Sequence, residues 1–288
     1  MEARIRMSIL DKMQRIDRRY IYLAAWIFVL FPLLNPLGLP VPIGRESRTW
    51  YNYIEAIPDD SVIIVSMDYG VSGMPELYPM TVATMHHLWD NCLTRNWKIV
   101  VLAFWNQGPL VFDTLLTQID PAERYNVVYG EHWVELGWVP GSETGMAALA
   151  TDMWGQTPRD YLEDRPLADL PIMADIRTAE DVDLVISIET GTPGLPEWLR
   201  QWNDPFGVPF IVGCIGVSVP GMAPYLASGQ LSALMPGLTA SGEYELLLNR
   251  PGLAVAGLDA VSMSHLLVVL LVLIGNVAYF ASRGKEVS

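Results

Sequence analysis

The stretch Ser61-Val-Ile-Ile-Val-Ser-Met-Asp-Tyr-Gly70 sets a short β-branched run against a turn, and a long helical pattern opens just after it at Pro75-Glu76. The apolar run is too short for a helix of its own, and Asp68-Tyr69-Gly70 is where the chain must turn. A short apolar run, a Gly turn and then a helix is how a buried central strand of a parallel sheet reads. The rest of the chain repeats the unit. Strands are predicted at 62–67, 98–104, 126–129, 183–188, 210–215 and 230–235. Helical patterns fall at 74–96, 109–119, 195–202 and 240–249, with a helix or turn at 141–154 and 221–228. The Pro-rich, acidic stretch 157–181 reads as a surface excursion. Strands alternating with helices predict an α/β fold, a doubly wound and mostly parallel sheet with right-handed crossovers and both faces covered. No fixed-period repeat is present, which disfavours a solenoid.

Two apolar segments bracket these units. Residues 20–39 carry no charge and are about long enough to cross a bilayer as a helix. Tyr20, Tyr22 and Trp26 sit toward one end, as interfacial aromatics do. Pro32, Pro36, Pro40 and Pro42 predict that the helix stops near 31–35. The small-residue pattern of a cleavage site is not evident, so the segment reads as an uncleaved anchor. Residues 266–281, extended by 263–265, form the second segment. Gly275 and Asn276 interrupt its apolar face, either as a helix-contact point or as a position close enough to the interface to stay wet.

Charge sets the expected orientation. The first twenty residues hold six basic and three acidic side chains, and the last eight hold Arg283 and Lys285 against Glu286. Both apolar segments end at basic flanks, which places both termini in the cytoplasm. The expected organisation is a basic cytoplasmic segment 1–19, a transmembrane helix 20–39, an extracytoplasmic domain 44–260, a transmembrane helix 263–282 and a cytoplasmic tail 283–288. Within the first segment Ile5, Ile9, Met13 and Ile16 recur at helical spacing, which fits a helix on the membrane surface or a basic tail that only sets topology. The whole chain has a net charge of -14, so the middle is strongly acidic. That excludes nucleic acid as an expected partner, because phosphate backbones need a basic face. Cys92 and Cys214 read as buried free thiols, with a single disulfide between them as the alternative, and no Cys/His cluster suggests a metal.

Ligands of an open parallel sheet sit beyond the carboxyl ends of its strands. Those ends offer Asp68, Tyr69, Asn106, Glu189, Thr190 and Ser218 as candidate ligand-binding residues, a rim suited to a polar solute or a hard cation. Polar residues also line such turns in any fold of this kind. There is no phosphate loop and no nucleophile elbow, so no cofactor and no catalytic set is indicated. The Ser-Met-Asp end of the first strand lacks the first Asp of aspartyl phosphoryl transfer. A hydrolase or transferase would have to use Asp68 or Glu189 with His86 or His132. The most unusual stretch is 219–245, rich in small residues. Ser228, Gly229, Gly237 and Gly242, with Gly275 and Asn276 in the second apolar segment, are the candidate subunit contacts. Tight packing inside the chain explains the same residues. Glu243 and Glu245 are placed near the start of a helix, where negative charge is favoured.

The exit Asn35-Pro-Leu-Gly-Leu-Pro-Val-Pro, the strand end Asp68-Tyr69-Gly70, the run Ser228-Gly-Gln-Leu, Glu243-Tyr-Glu245 and Gly275-Asn276-Val-Ala-Tyr-Phe resemble an uncharacterised family of prokaryotic two-transmembrane proteins. The resemblance covers most of the chain. It implies two spans around one Rossmann-like α/β domain and carries no activity. The domain also looks loosely like one lobe of periplasmic solute-binding proteins, an analogy of fold alone. The expected function is a non-enzymatic subunit that associates with itself or with other membrane proteins in the bilayer. The alternatives are a solute- or cation-binding sensor and a hydrolase or transferase.

Overall fold

The computed structural model describes residues 17–286, without the side chains of 281–286. Most of segment 1–19, including Ile5, Ile9, Met13 and Ile16, lies outside the described residues, as do the last two residues of the tail. The chain divides into two compact units, residues 41–254 and the two ends flanking them.

In the larger unit the elements run α2 (Arg45–Glu55), β1 (Val62–Asp68), α3 (Met74–Arg95), β2 (Lys98–Ala103), α4 (Gly108–Gln118), α5 (Pro121–Tyr125), β3 (Trp133–Trp138) and α6 (Ser142–Thr151). They continue with β4 (Leu184–Glu189), α7 (Leu195–Trp198), β5 (Phe210–Cys214), α8 (Val219–Ser228), β6 (Ala233–Pro236) and α9 (Gly237–Leu247). The flanking ends hold α1 (Arg18–Leu34) and most of α10 (Leu253–Glu286). All strand pairs are parallel, in the order β3-β2-β1-β4-β5-β6. This is a Rossmann-like sheet, whose winding reverses between β1 and β4. Strand β1 is buried at every position, so its side chains feed two cores. Ile63, Val65 and Met67 join the core that includes α3 and α4. Val62 and Ile64 join the core on the other side, with Trp198 and Trp202. Both cysteines are free and buried.

The third strand is 133–138, not 126–129, because Gly130 turns the chain at φ 82° and Tyr129 makes only an isolated bridge to Trp133. The strand was hidden by Glu135 and Gly137, which interrupt its apolar run. The stretch 157–181 is more than a surface excursion, since Leu167, Leu170, Ile172, Met173 and Ile176 are all buried in the core. Helix α9 begins at Gly237, so Glu243 and Glu245 fall in its second half. Their charge meets the N-termini of two other helices instead. Glu243 Oε2 accepts from Gly44 N, the N-cap of α2, at 2.8 Å and from Ser47 Oγ at 2.6 Å. Glu245 accepts from Gly252 N and Ala254 N, at the start of α10, at 2.8 and 3.0 Å. A carboxylate there satisfies amides that have no partner within their own helix and complements the helix dipole.

In the other unit, α10 contains a 28-residue apolar stretch, Leu253–Phe280, the one helix among the described residues long and apolar enough to cross a membrane. Two such helices were expected. Helix α1 is 17 residues long and stops at the Asn35 C-cap, ahead of the proline-rich exit. At 1.5 Å per residue it spans about 25 Å, short of a hydrocarbon core of about 30 Å. Asp259, buried in α10, accepts from the backbone amides of Leu37, Gly38 and Leu39 at 2.7, 2.9 and 3.1 Å. The proline-rich exit cannot bond its own amides in a helix, and this carboxylate takes three of them.

Candidate functional site

The reversal point between β1 and β4 is where a sheet of this order opens to ligands. Parallel register places Asp68, the last residue of β1, opposite Glu189, the last residue of β4. Both side chains are fully buried. Asp68 Oδ1 accepts from Phe104 N at 2.7 Å, and Oδ2 from Ser66 Oγ at 2.7 Å and Trp198 Nε1 at 3.4 Å. Glu189 Oε1 accepts from Leu195 N at 2.9 Å, at the start of α7. Ser187 Oγ lies 2.7 Å from Glu189 Oε2 and 3.5 Å from Asp68 Oδ2, so one hydroxyl connects the two carboxyls.

Electrostatics divides the pair. Burial raises the pKa of Asp68 to about 6, and its four donors hold it from rising further. Burial raises Glu189 to about 8, with the neighbouring Asp68 charge adding to the rise. Burial therefore favours the protonated form of both carboxyls, and more strongly for Glu189. Ser187 Oγ donates to Glu189 Oε2, with Asp68 Oδ2 as its more distant acceptor. The arrangement can hold a proton inside the fold. Its cover is the chain itself. Trp198 packs edge-on against Phe104, ring centres 5.2 Å apart, and Gly194 passes so close to Glu189 Oε1 that a Cβ there would sit 2.5 Å away.

The other rim candidates take separate places. Tyr69 is buried and turned toward α3, its hydroxyl 2.6 Å from Thr81 Oγ1. Asn106 is exposed in the loop between β2 and α4. Thr190 and Ser218 are half-buried and joined by a bond from Ser218 Oγ to Thr190 O at 3.4 Å. Neither candidate histidine reaches the carboxyls. His86 Nδ1 bonds Tyr125 Oη, and His132 Nδ1 accepts from Val128 N at 3.0 Å. Among the described residues no group of three or more His, Cys, Asp or Glu could hold a metal ion. Sequence reasoning missed Trp198, Ser66 and Ser187 as partners of the carboxyls. The period-2 alternation Ser66/Asp68 and Ser187/Glu189 was the available signal, since it puts each serine on the face of its carboxylate.

A second feature opens to solvent. A groove of about 730 Å³ runs between α2, α8 and β6, lined by Arg45, Thr49, Ala223, Leu226, Leu231 and Leu234 among others. Strand β6 ends the sheet on that side. Gly229, the left-handed C-cap of α8 at φ 82°, lines the groove, and Ser228 beside it is exposed. Gly237 and Gly242 are buried, and Gly237 leaves room for Glu76, whose Oε2 would lie 2.8 Å from a Cβ there. The smallness of Gly237 thus serves packing within the unit. Gly275 and Asn276 are exposed on α10.

No family model matches the chain, and no curated protein matches it. Among solved structures it is similar to one described as a trehalose-6-phosphate synthase (OtsA), at 12% identity and a TM-score of 0.32, over 88% of this chain and 49% of that one. The chain spans about half the length of that protein, and a likeness this low carries no argument about activity.

Proposed function

We propose that the chain is a membrane-anchored, non-enzymatic subunit of a homo- or hetero-oligomeric assembly. Its α/β unit lies outside the cytoplasm and its termini lie inside, with the segment around α1 as a second anchor beside α10. The observation that carries this reading is the open, mostly apolar groove at the β6 edge, in the stretch 219–236. An unpaired sheet edge flanked by apolar side chains is a surface a partner covers. The closed crevice at the β1/β4 reversal supports the same reading, because the place where such sheets take ligands is filled by Trp198, Glu189 and Asp68.

The test is the mass of the detergent-solubilised complex purified gently from its native membrane. A large, defined assembly that shrinks on Leu226→Arg is the expected result. A clean monomer from both proteins sinks the proposal.

A further inference from the structure

We propose that a second cavity in the α/β unit binds a phosphate group. It has a volume of about 190 Å³ and lies among α3, the ends of α4 and α5, and the connector that leads into α10. Its polar lining is His86, Gln118, Arg124, Arg250 and Glu245.

The hydrogen bonds show what this lining offers. Arg250 Nη1 donates to Tyr125 Oη at 2.8 Å and Nη2 to Asp90 Oδ1 at 2.9 Å. A guanidinium only donates, so the tyrosine accepts from it and gives its own proton to His86 Nδ1. The histidine then carries its ring proton on Nε2 and is a neutral donor. Burial, with the charges of Arg124 and Arg250, lowers its pKa to about 4, so it stays neutral at physiological pH. Arg124 is exposed, its guanidinium 5.7 Å from the Tyr125 ring centre. Glu245 is the one carboxylate in the lining, and its two oxygens are turned to the amides of Gly252 and Ala254. Arg250 is thus matched by Asp90 and Glu245 by two backbone amides, which leaves the Arg124 guanidinium as the charge the lining offers, alongside an imidazole N–H and an amide.

That set favours an anion with several acceptor oxygens. A cation meets the positive charge of Arg124, and a neutral sugar leaves it unmatched. The planar fork of arginine suits phosphate. At about 190 Å³ the cavity is smaller than the roughly 300 Å³ at which drug-sized pockets begin. It takes inorganic phosphate, a short phosphomonoester or a lipid headgroup. Leu253 lines the cavity and is also the first residue of the helix that carries the membrane-length stretch, which makes a headgroup one source of the phosphate.

The experiment is calorimetry on the purified full chain in non-ionic detergent, titrated with inorganic phosphate and, separately, with short-chain phosphatidylglycerol. Arg124→Ala removes a cation from an exposed site, and Val82→Phe fills the cavity without changing charge. Each variant is first checked for an unchanged melting temperature. Binding of either titrant, weakened about tenfold to a hundredfold by Arg124→Ala, is expected from the loss of a charged hydrogen-bonding partner. If Arg124→Ala does not fold, the same loss in Val82→Phe is the expected result. Phosphate binding identifies a soluble source, and binding of the lipid alone identifies a headgroup. No binding of either titrant, or binding unchanged by the variant, overturns the proposal.

Discussion

Glu135 sits in the middle of β3 with 1% of its surface exposed, and its Oε2 has no hydrogen-bond partner among the described residues. Burial, with Asp113 nearby, raises its pKa to about 9. The folded protein keeps that proton while the unfolded chain releases it above about pH 4.5. Stability therefore falls as pH rises from there toward 9, by up to about 1.4 kcal/mol per pH unit from this group. Glu135→Gln removes the term, so its melting temperature should fall less steeply than the wild type's between pH 5 and 8. Parallel curves would show that Glu135 is ionised in the fold. Gly194 makes a complementary point about space. Gly194→Ala pushes on Glu189 and on Gly191 O, and overpacking of this kind costs about 1–3 kcal/mol, readable as a lowered melting temperature. Single residues were also where the sequence was hardest to read. Glu135 masked a strand because a carboxylate inside an apolar run signals a loop. Asp68 and Glu189 were legible as strand ends, but their cover was not, because Trp198 reaches Asp68 from 130 positions away.

At the level of elements, the apolar runs of β1, β2, β4 and β5 were readable because both faces of those strands are buried. Helix α2 was not, since its sequence Arg-Glu-Ser-Arg-Thr-Trp-Tyr-Asn-Tyr-Ile-Glu buries only Ser47, Trp50 and Ile54. What holds its N-terminus is Glu243, about 200 positions downstream. Glu243→Ala leaves Gly44 N without this acceptor and takes the closest partner from the buried Ser47 hydroxyl, at an expected cost of about 1–3 kcal/mol. In combination with Ser47→Ala the cost should be less than additive, because the two side chains share one bond. Strict additivity in thermal unfolding would mean that the contact contributes nothing.

The whole molecule poses a question of sidedness that composition could frame but not answer. Basic flanks and an acidic middle predict an orientation, whereas the span count rests on lengths that prolines cut short. Both native cysteines are buried, so a membrane-impermeant maleimide should leave the intact wild type unlabelled. Thr151→Cys, exposed at the end of α6 and outside the groove, should then react from outside intact cells, and Ser288→Cys only after the membrane is opened. Equal access to both positions would refute the proposed topology.

The carboxylate of Asp259 accepts amides that lie 220 to 222 positions earlier in the chain. Translation runs from the first of these partners to the last, so the exit of α1 emerges with three amides whose acceptor has not yet been made. The ribosome must complete the entire α/β unit before that clasp can close. At the synthesis rates of about 5–20 residues per second typical of cells, the wait is tens of seconds. During that interval the proline-rich exit depends on water or on a helper, and a chain released before residue 259 never acquires the fastening.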